Sequence, residues 1–324
     1  MVLVCWHLGK DISRGPPANR LTSDPTPVRA PGPRIICKSL CFLSNFAYDS
    51  GMGISLNQFI DERLLQGRAY FDRAEALAAL DLQPQALAAA VTRQIKKRKL
   101  VSPRHGFLLI LRPEDQAAGA PDPMLWIDPL MKHQGLGYRI SLLRAAAFHG
   151  SSHQAAMTFQ VLVPRQLRDF EVGKYRLEFL YQAPGALAKV NQPGLLERAK
   201  SNAGFANIAG VELTLLDCVR YFHRAGGLSG VAQIIKDIGD KADSRKLAKG
   251  AEAYENSVVR RLGYLLDLVG HKRQSRALEP FMKDAKAIVR LDPAVRPLFA
   301  AREAAYEKNA KWKLEINESV EIDF

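Results

Sequence analysis

No run of 18 apolar residues occurs in this sequence, which excludes a helix that crosses a bilayer. Cysteine is scarce: Cys5, Cys37 and Cys41 lie near the N-terminus and Cys218 lies in a later apolar pattern. Cys37 and Cys41 have no second Cys or His pair at finger spacing, so a zinc module is not expected, and so few thiols fit a reducing cytoplasm. Neither Gly-x-x-x-x-Gly-Lys-Ser/Thr nor GxGxxG is present, which removes the usual phosphate loops. The most local absence is of carboxylates. The chain carries 33 Asp and Glu, yet none falls between Leu82 and Pro113, a stretch with seven Lys and Arg.

What is present bounds the class. A chain of 324 residues is long enough for two domains of ordinary size. Hydrophobic content of 47% and charged content of 24% are those of a globular protein, and a formal charge of +13 points to an anionic partner. Residues 1–51 stand apart: six of the 18 prolines fall between Pro16 and Pro33, with no hydrophobic period among them. Such a composition buries too little apolar surface to offset ordering entropy. A disordered extension is expected there, arising from an upstream start, with Met52 the natural first residue.

From Ser55 the pattern is helical, with Leu56, Phe59, Ile60, Leu64 and at its edge Leu65 on one face, ending at Gly67. Ala69-Tyr70-Phe71 reads as a short strand. Asp72 stands three residues before Glu75, the spacing of a capping box, and opens a second helix to about Leu80. Pro84 suits the first turn of a third helix, whose cap, Gln83, is a mediocre one. Leu87, Val91 and Ile95 are expected to form its core stripe, with Gln85, Ala89, Thr92, Arg93 and Lys96 opposite. Two apolar runs around Ser102-Pro103-Arg104-His105-Gly106 then read as a β-hairpin. Helix, strand, helix, turn, helix, hairpin is the order of a winged helix-turn-helix. In that arrangement the third helix and the hairpin both meet phosphates, which accounts for the missing carboxylates. Gln85, Thr92, Arg93 and Lys96 are the candidates for base edges or groove phosphates. Lys97, Arg98, Arg104 and His105 are the candidates for the DNA backbone.

The expected fold class is therefore α+β: a winged helix-turn-helix over residues 52–112, a linker over 113–123, and a mixed α/β, mostly helical domain over 124–324. Within the last, Phe159–Val163, Tyr175–Tyr181 and Trp312–Asn317 read as strands. Leu213–His223, Leu228–Ile238, Arg245–Glu255, Val258–Val269 and Leu278–Val289 read as helices.

Six blocks, FIDERLLQGRAYFDRAEALAAL, the basic helix with SPRHGFLLIL, WIDPLM, YRISLLRAAAFHGSSHQAAMTFQV, ELTLLDCVRYFHRAGGLSGVA and VVRRLGYLLD, occur in the right order. Together they resemble the AbiEi family of bacterial antitoxin-type transcriptional regulators from type IV toxin–antitoxin systems. The resemblance covers roughly residues 54 to 320. It implies an N-terminal winged helix that binds the operon's own promoter at inverted repeats, and a C-terminal antitoxin domain. It also implies a neighbouring nucleotidyltransferase toxin that need not form a complex with it, and a role in phage resistance. Gln83 departs from the Ser or Thr expected before the helix proline.

Other readings are weaker. His149 and His153 are spaced as a metal pair, but Gly150 interrupts any helix between them and no third ligand follows, so no metal or cofactor is expected. Gly226-Gly227 reads as a junction between two helices. Asp217 and Cys218 sit in an apolar helix with no base to activate the thiol. Arg260 and Arg261 are read as contacts to phosphate or a domain interface, or as a solvated face. The alternative of a nucleic-acid-modifying enzyme has no acidic pair, ligand spacing or nucleophile motif behind it, and no enzymatic activity is expected. A protein-interaction module with an incidental basic surface is a third reading.

Overall fold

A computed structural model describes residues 54–151, 158–201, 204–295 and 306–322. The extension read over residues 1–51 and His153 of the histidine pair lie outside the described residues.

Helix α1 (Leu56–Leu65) starts at a reciprocal capping box: the Gln58 N–H donates to the Ser55 hydroxyl at 3.3 Å, and the Ser55 N–H donates to the Gln58 side chain at 2.8 Å. It buries Leu56, Phe59 and Ile60, whereas Leu65 lies outside the face and is 87% exposed. After β1 (Tyr70–Asp72), α2 (Arg73–Leu80) is capped by the Asp72 carboxylate, which accepts from the Glu75 N–H at 2.7 Å. The expected capping box is only half formed. The Glu75 carboxylate is taken instead by Arg68, at 2.8 and 3.0 Å, and by Arg63 at 3.1 Å.

Helix α3 (Pro84–Lys96) begins at its proline, and Gln83 supplies no side-chain cap. Its core face corrects the expected stripe. Leu87 and Gln94 are buried and Val91 is partly so, whereas Ile95 is 39% exposed. Each four-residue step advances about 40° around a helix, so two in succession carry Ile95 off the face that Leu87 occupies. Gln94 takes the buried position because Asn57 accepts a hydrogen bond from its side chain at 2.8 Å.

Strands β2 (Leu100–Arg104) and β3 (Phe107–Ile110) complete an antiparallel sheet of order β1-β3-β2. Every residue of the central strand β3 is buried. Side chains alternate across a strand, so Leu108 and Ile110 join a small core with α1–α3 while Phe107 and Leu109 join the core of the rest of the chain. The segment read as a linker, 113–123, is closely packed: Asp115 and Ala120 are buried, and a Cβ on Gly173 would fall 2.1 Å from the Ala118 carbonyl oxygen.

Beyond it, α4 (Ile127–His133) precedes a six-stranded sheet of order β6-β7-β5-β4-β9-β8. Its strands are β4 (Arg139–Ile140), β5 (Thr158–Val163), β6 (Phe170–Val172), β7 (Tyr175–Tyr181), β8 (Leu196–Ser201) and β9 (Gly204–Ala209). β5–β7 and β4–β9 are parallel and the remaining pairs antiparallel. Helices α5 (Leu142–Phe148), α6 (Pro184–Val190), α7 (Val211–Arg220), α8 (Gly227–Ile238), α9 (Ser244–Ala251), α10 (Asn256–Leu268) and α11 (Lys272–Leu278) accompany the sheet. The helix expected over Leu278–Val289 is corrected, since α11 ends where that one was to begin. Pro280 lacks an N–H and its ring would crowd the carbonyl four residues back, so a tight turn over Glu279–Asp284 follows instead. A small sheet of β10 (Val289–Arg290), β12 (Leu314–Ile316) and β11 (Glu307–Asn309) closes the described chain. The fold is mixed α+β, and no helix among the described residues is long and apolar enough to cross a membrane.

Candidate nucleic-acid interface

Gln85, Thr92, Arg93 and Lys96 are all exposed, on the side of α3 away from Leu87 and Gln94. Thr92 is partly committed: its hydroxyl donates to the Ala88 carbonyl at 2.9 Å. The helix ends in a tight turn in which the N–H of Lys97 reaches the Arg93 carbonyl at 3.1 Å and that of Lys99 reaches Gln94 at 3.0 Å. Arg98 takes the left-handed conformation this turn requires, with φ 54°. Lys97 and Arg98 are both exposed there, so the helix ends in solvent-facing cations.

The hairpin tip is held from several sides. Ser102 donates to the carbonyls of Arg104 at 3.0 Å and Phe107 at 3.1 Å, and Gly106 turns the chain at φ 78°. The Gly106 carbonyl accepts from the Arg73 N–H at 2.8 Å, and the Arg73 guanidinium donates to the Pro84 carbonyl at 2.9 Å. The tip, the start of α2 and the start of α3 are thereby tied together. Between α3 and the hairpin lies a cleft of about 210 Å³, lined by Ala88, Val91, Thr92 and Ile95 on one wall and Ser102, His105 and Leu108 on the other.

The two tip residues separate. His105 is exposed, with its carbonyl oxygen 3.4 Å from His133 Nε2. Arg104, expected on the DNA backbone, is engaged within the chain. Its guanidinium lies 4.5 Å from the centre of the Phe170 ring and donates to the Arg168 carbonyl. Burial lowers its pKa, an effect that Asp169 opposes. The structure thus gathers seven of the eight sequence-derived residues on an exposed helix face and hairpin tip, and turns the eighth toward the larger core.

Sequence reasoning missed a second polar constellation. Arg139 on β4 and Asp217 on α7 are both fully buried and meet in two hydrogen bonds, at 2.8 and 3.0 Å. Arg139 also donates to Asn191 at 2.9 Å and Gln182 at 2.7 Å, and Ser141 and Tyr254 each donate to Asp217 at 2.6 Å. Burial by itself would lower the Arg139 pKa, but the Asp217 carboxylate raises it, so the guanidinium stays charged. Burial also pushes the neighbouring Cys218 thiol well above its usual range, as befits a core cysteine. An isolated Asp in an apolar helix signalled that a partner was needed, but nothing in the spacing identified Arg139.

Arg260 and Arg261 are buried and bind main chain rather than phosphate. Arg260 donates to the carbonyls of Trp312 at 2.9 Å and Ala287 at 2.7 Å, and Arg261 to those of Leu291 at 2.8 Å and Arg290 at 3.0 Å. His149 caps α5 and lies 2.7 Å from the Ala209 carbonyl. Among the described residues, no group of three His, Cys, Asp or Glu is placed to hold a metal ion.

A two-core α+β chain with a cationic helix face and a buried arginine–carboxylate network is the class defined so far. Residues 139–268, which contain that whole network, match the model of the AbiEi antitoxin C-terminal domain. That match supports an AbiEi-type antitoxin. The fold is also similar to the crystal structure of RV2827C protein from Mycobacterium tuberculosis, with a TM-score of 0.56 and 14% identity over 80% of this chain and 89% of that chain. At that identity the likeness concerns fold alone. Comparison with the curated proteins finds no match.

Proposed function

We propose that residues 54–112 are a winged helix-turn-helix and that the chain is a cytoplasmic DNA-binding autorepressor. In this reading it is also the antitoxin component of a type IV toxin–antitoxin system that counters a nucleotidyltransferase toxin. The observation that carries the DNA reading is the exposed face of α3 and its C-terminal turn, cationic and without a carboxylate from Leu82 to Pro113. Gln85, Thr92, Arg93 and Lys96 meet the major groove, Lys97, Arg98 and His105 meet phosphates, and Arg104 sets the position of the hairpin. The antitoxin reading rests on the family match over residues 139–268.

The test is an electrophoretic shift with the intergenic DNA upstream of the chain's own reading frame. A shift that Arg93→Ala weakens or redirects to other sites is expected. No shift by the full chain, even in dilute salt, would refute the DNA-binding half of the proposal.

A further inference from the structure

The exposed side of α3 is not uniformly polar. Ala88, Thr92 and Ile95 follow one another at four- and three-residue steps, which places them in one stripe along the helix. All three are exposed and all three line the cleft beside the hairpin. Ile95 left the core face in favour of Gln94, so a branched apolar side chain stands 39% exposed at the cleft beside the hairpin. Because the Thr92 hydroxyl donates to the Ala88 carbonyl, it has no proton left to donate to a ligand, and its methyl stands beside it as an apolar contact group. Val91 and Leu108 continue the apolar lining into the cleft.

We infer that the Ala88–Thr92–Ile95 stripe reads thymine in the major groove by packing against its 5-methyl group, so that the preferred site carries A·T pairs opposite this side of the helix. The inference rests on the DNA-binding reading above and refines it. The surrounding cations bring duplex DNA to this face whatever its sequence. Of the base edges exposed in the major groove, only thymine presents a methyl, and Ala and the Thr methyl are side chains that suit it. Along the helix the stripe spans about 10 Å, the length of roughly three base-pair steps. With the Thr92 proton taken by the Ala88 carbonyl, no side chain of the stripe can donate to a base acceptor such as guanine O6 or N7.

The test uses the full chain and a short duplex that it enriches from a random pool, prepared once with thymidine and once with deoxyuridine in every thymidine position. The two duplexes have the same phosphates and hydrogen-bonding groups and differ only in the methyls. Each methyl packed against the protein is worth about a four-fold change in affinity. Wild-type protein is expected to bind the thymidine duplex about four- to sixteen-fold more tightly. Thr92→Ser, which keeps the hydroxyl and removes the methyl, and Ile95→Ala are each expected to reduce that preference about four-fold, while Thr92→Val retains it. Equal binding of wild type to both duplexes overturns the inference but leaves DNA binding intact. So does a preference that survives both Thr92→Ser and Ile95→Ala, or one that Thr92→Val abolishes. Failure to enrich or bind any duplex in dilute salt overturns the inference together with the DNA-binding reading itself.

Discussion

A carboxylate with no access to solvent, such as that of Asp217, is tolerable only when donors surround it. Arg139 supplies two, and Ser141 and Tyr254 one each. Asp217→Asn keeps the shape but leaves a buried guanidinium without its counter-charge. It is expected to lower unfolding free energy by about 3–5 kcal/mol in urea titration. Replacing both partners, as Arg139→Met with Asp217→Leu, is expected to recover a large part of that loss, whereas additive losses would show that the two side chains do not act as a pair. Asp217 could be picked out in the sequence because it interrupts an apolar helix. Arg139 could not, since it lies 78 positions away on a two-residue strand with no period to mark it. The same limit hid the roles of Arg260 and Arg261, whose partners are main-chain carbonyls that leave no trace in residue type.

At the scale of elements, the C-terminus of α3 holds a non-glycine residue where glycine would be easier. Left-handed backbone costs an L-residue about 1–2 kcal/mol, part of which glycine gives back through the unfolded chain. Arg98→Gly is therefore expected to raise stability by up to about 1 kcal/mol while weakening DNA binding. A variant that is both less stable and undiminished in binding would contradict the placement of Arg98. The other end of the molecule shows a pH-dependent tie. Asp267 on α10 accepts from Lys311 at 2.7 Å, Ser275 at 2.6 Å and Trp312 Nε1 at 2.8 Å. Burial would raise its pKa, but these donors outweigh that and hold it at about 2, below the usual 3.8. The folded state therefore favours the ionised form, so this stabilisation is complete above pH 3.8 and is lost as pH falls toward about 2. Asp267→Asn is expected to cost about 1–2 kcal/mol at neutral pH and to flatten the acid limb of the stability curve in that window, as read by circular dichroism. Helices with a clear apolar face, α1, α8 and α10 among them, were legible from periodicity. β6, β8 and β9 were not, because edge and half-buried strands such as Leu196–Ser201 mix Glu, Arg and Lys with small residues and show no alternation.

The whole molecule is organised around β3, which belongs to two cores at once: Leu108 and Ile110 face α1–α3, and Phe107 and Leu109 face the larger core. The four consecutive apolar residues of Phe107–Ile110 were visible as a strand, but a strand covered on one side reads much like one covered on both when the run is this short. Two further ties reinforce the shared strand. Arg104 packs on Phe170 at 4.5 Å, and the Phe107 ring lies 5.6 Å from that of His133. The hairpin beside α3 is thereby fixed from the side of the larger core, and the residues exposed toward a polyanion are those of α3, its terminal turn and His105. The measurement that bears most directly on this account is the salt dependence of full-chain binding to upstream duplex DNA, for wild type and for the triple variant Arg93→Ala, Lys96→Ala and Lys97→Ala. The expected result is a linear fall of log affinity with log salt for wild type, and a slope shallower by about 0.9 for each phosphate contact removed. Identical slopes and affinities for the two proteins, or no binding by wild type in dilute salt, would contradict it.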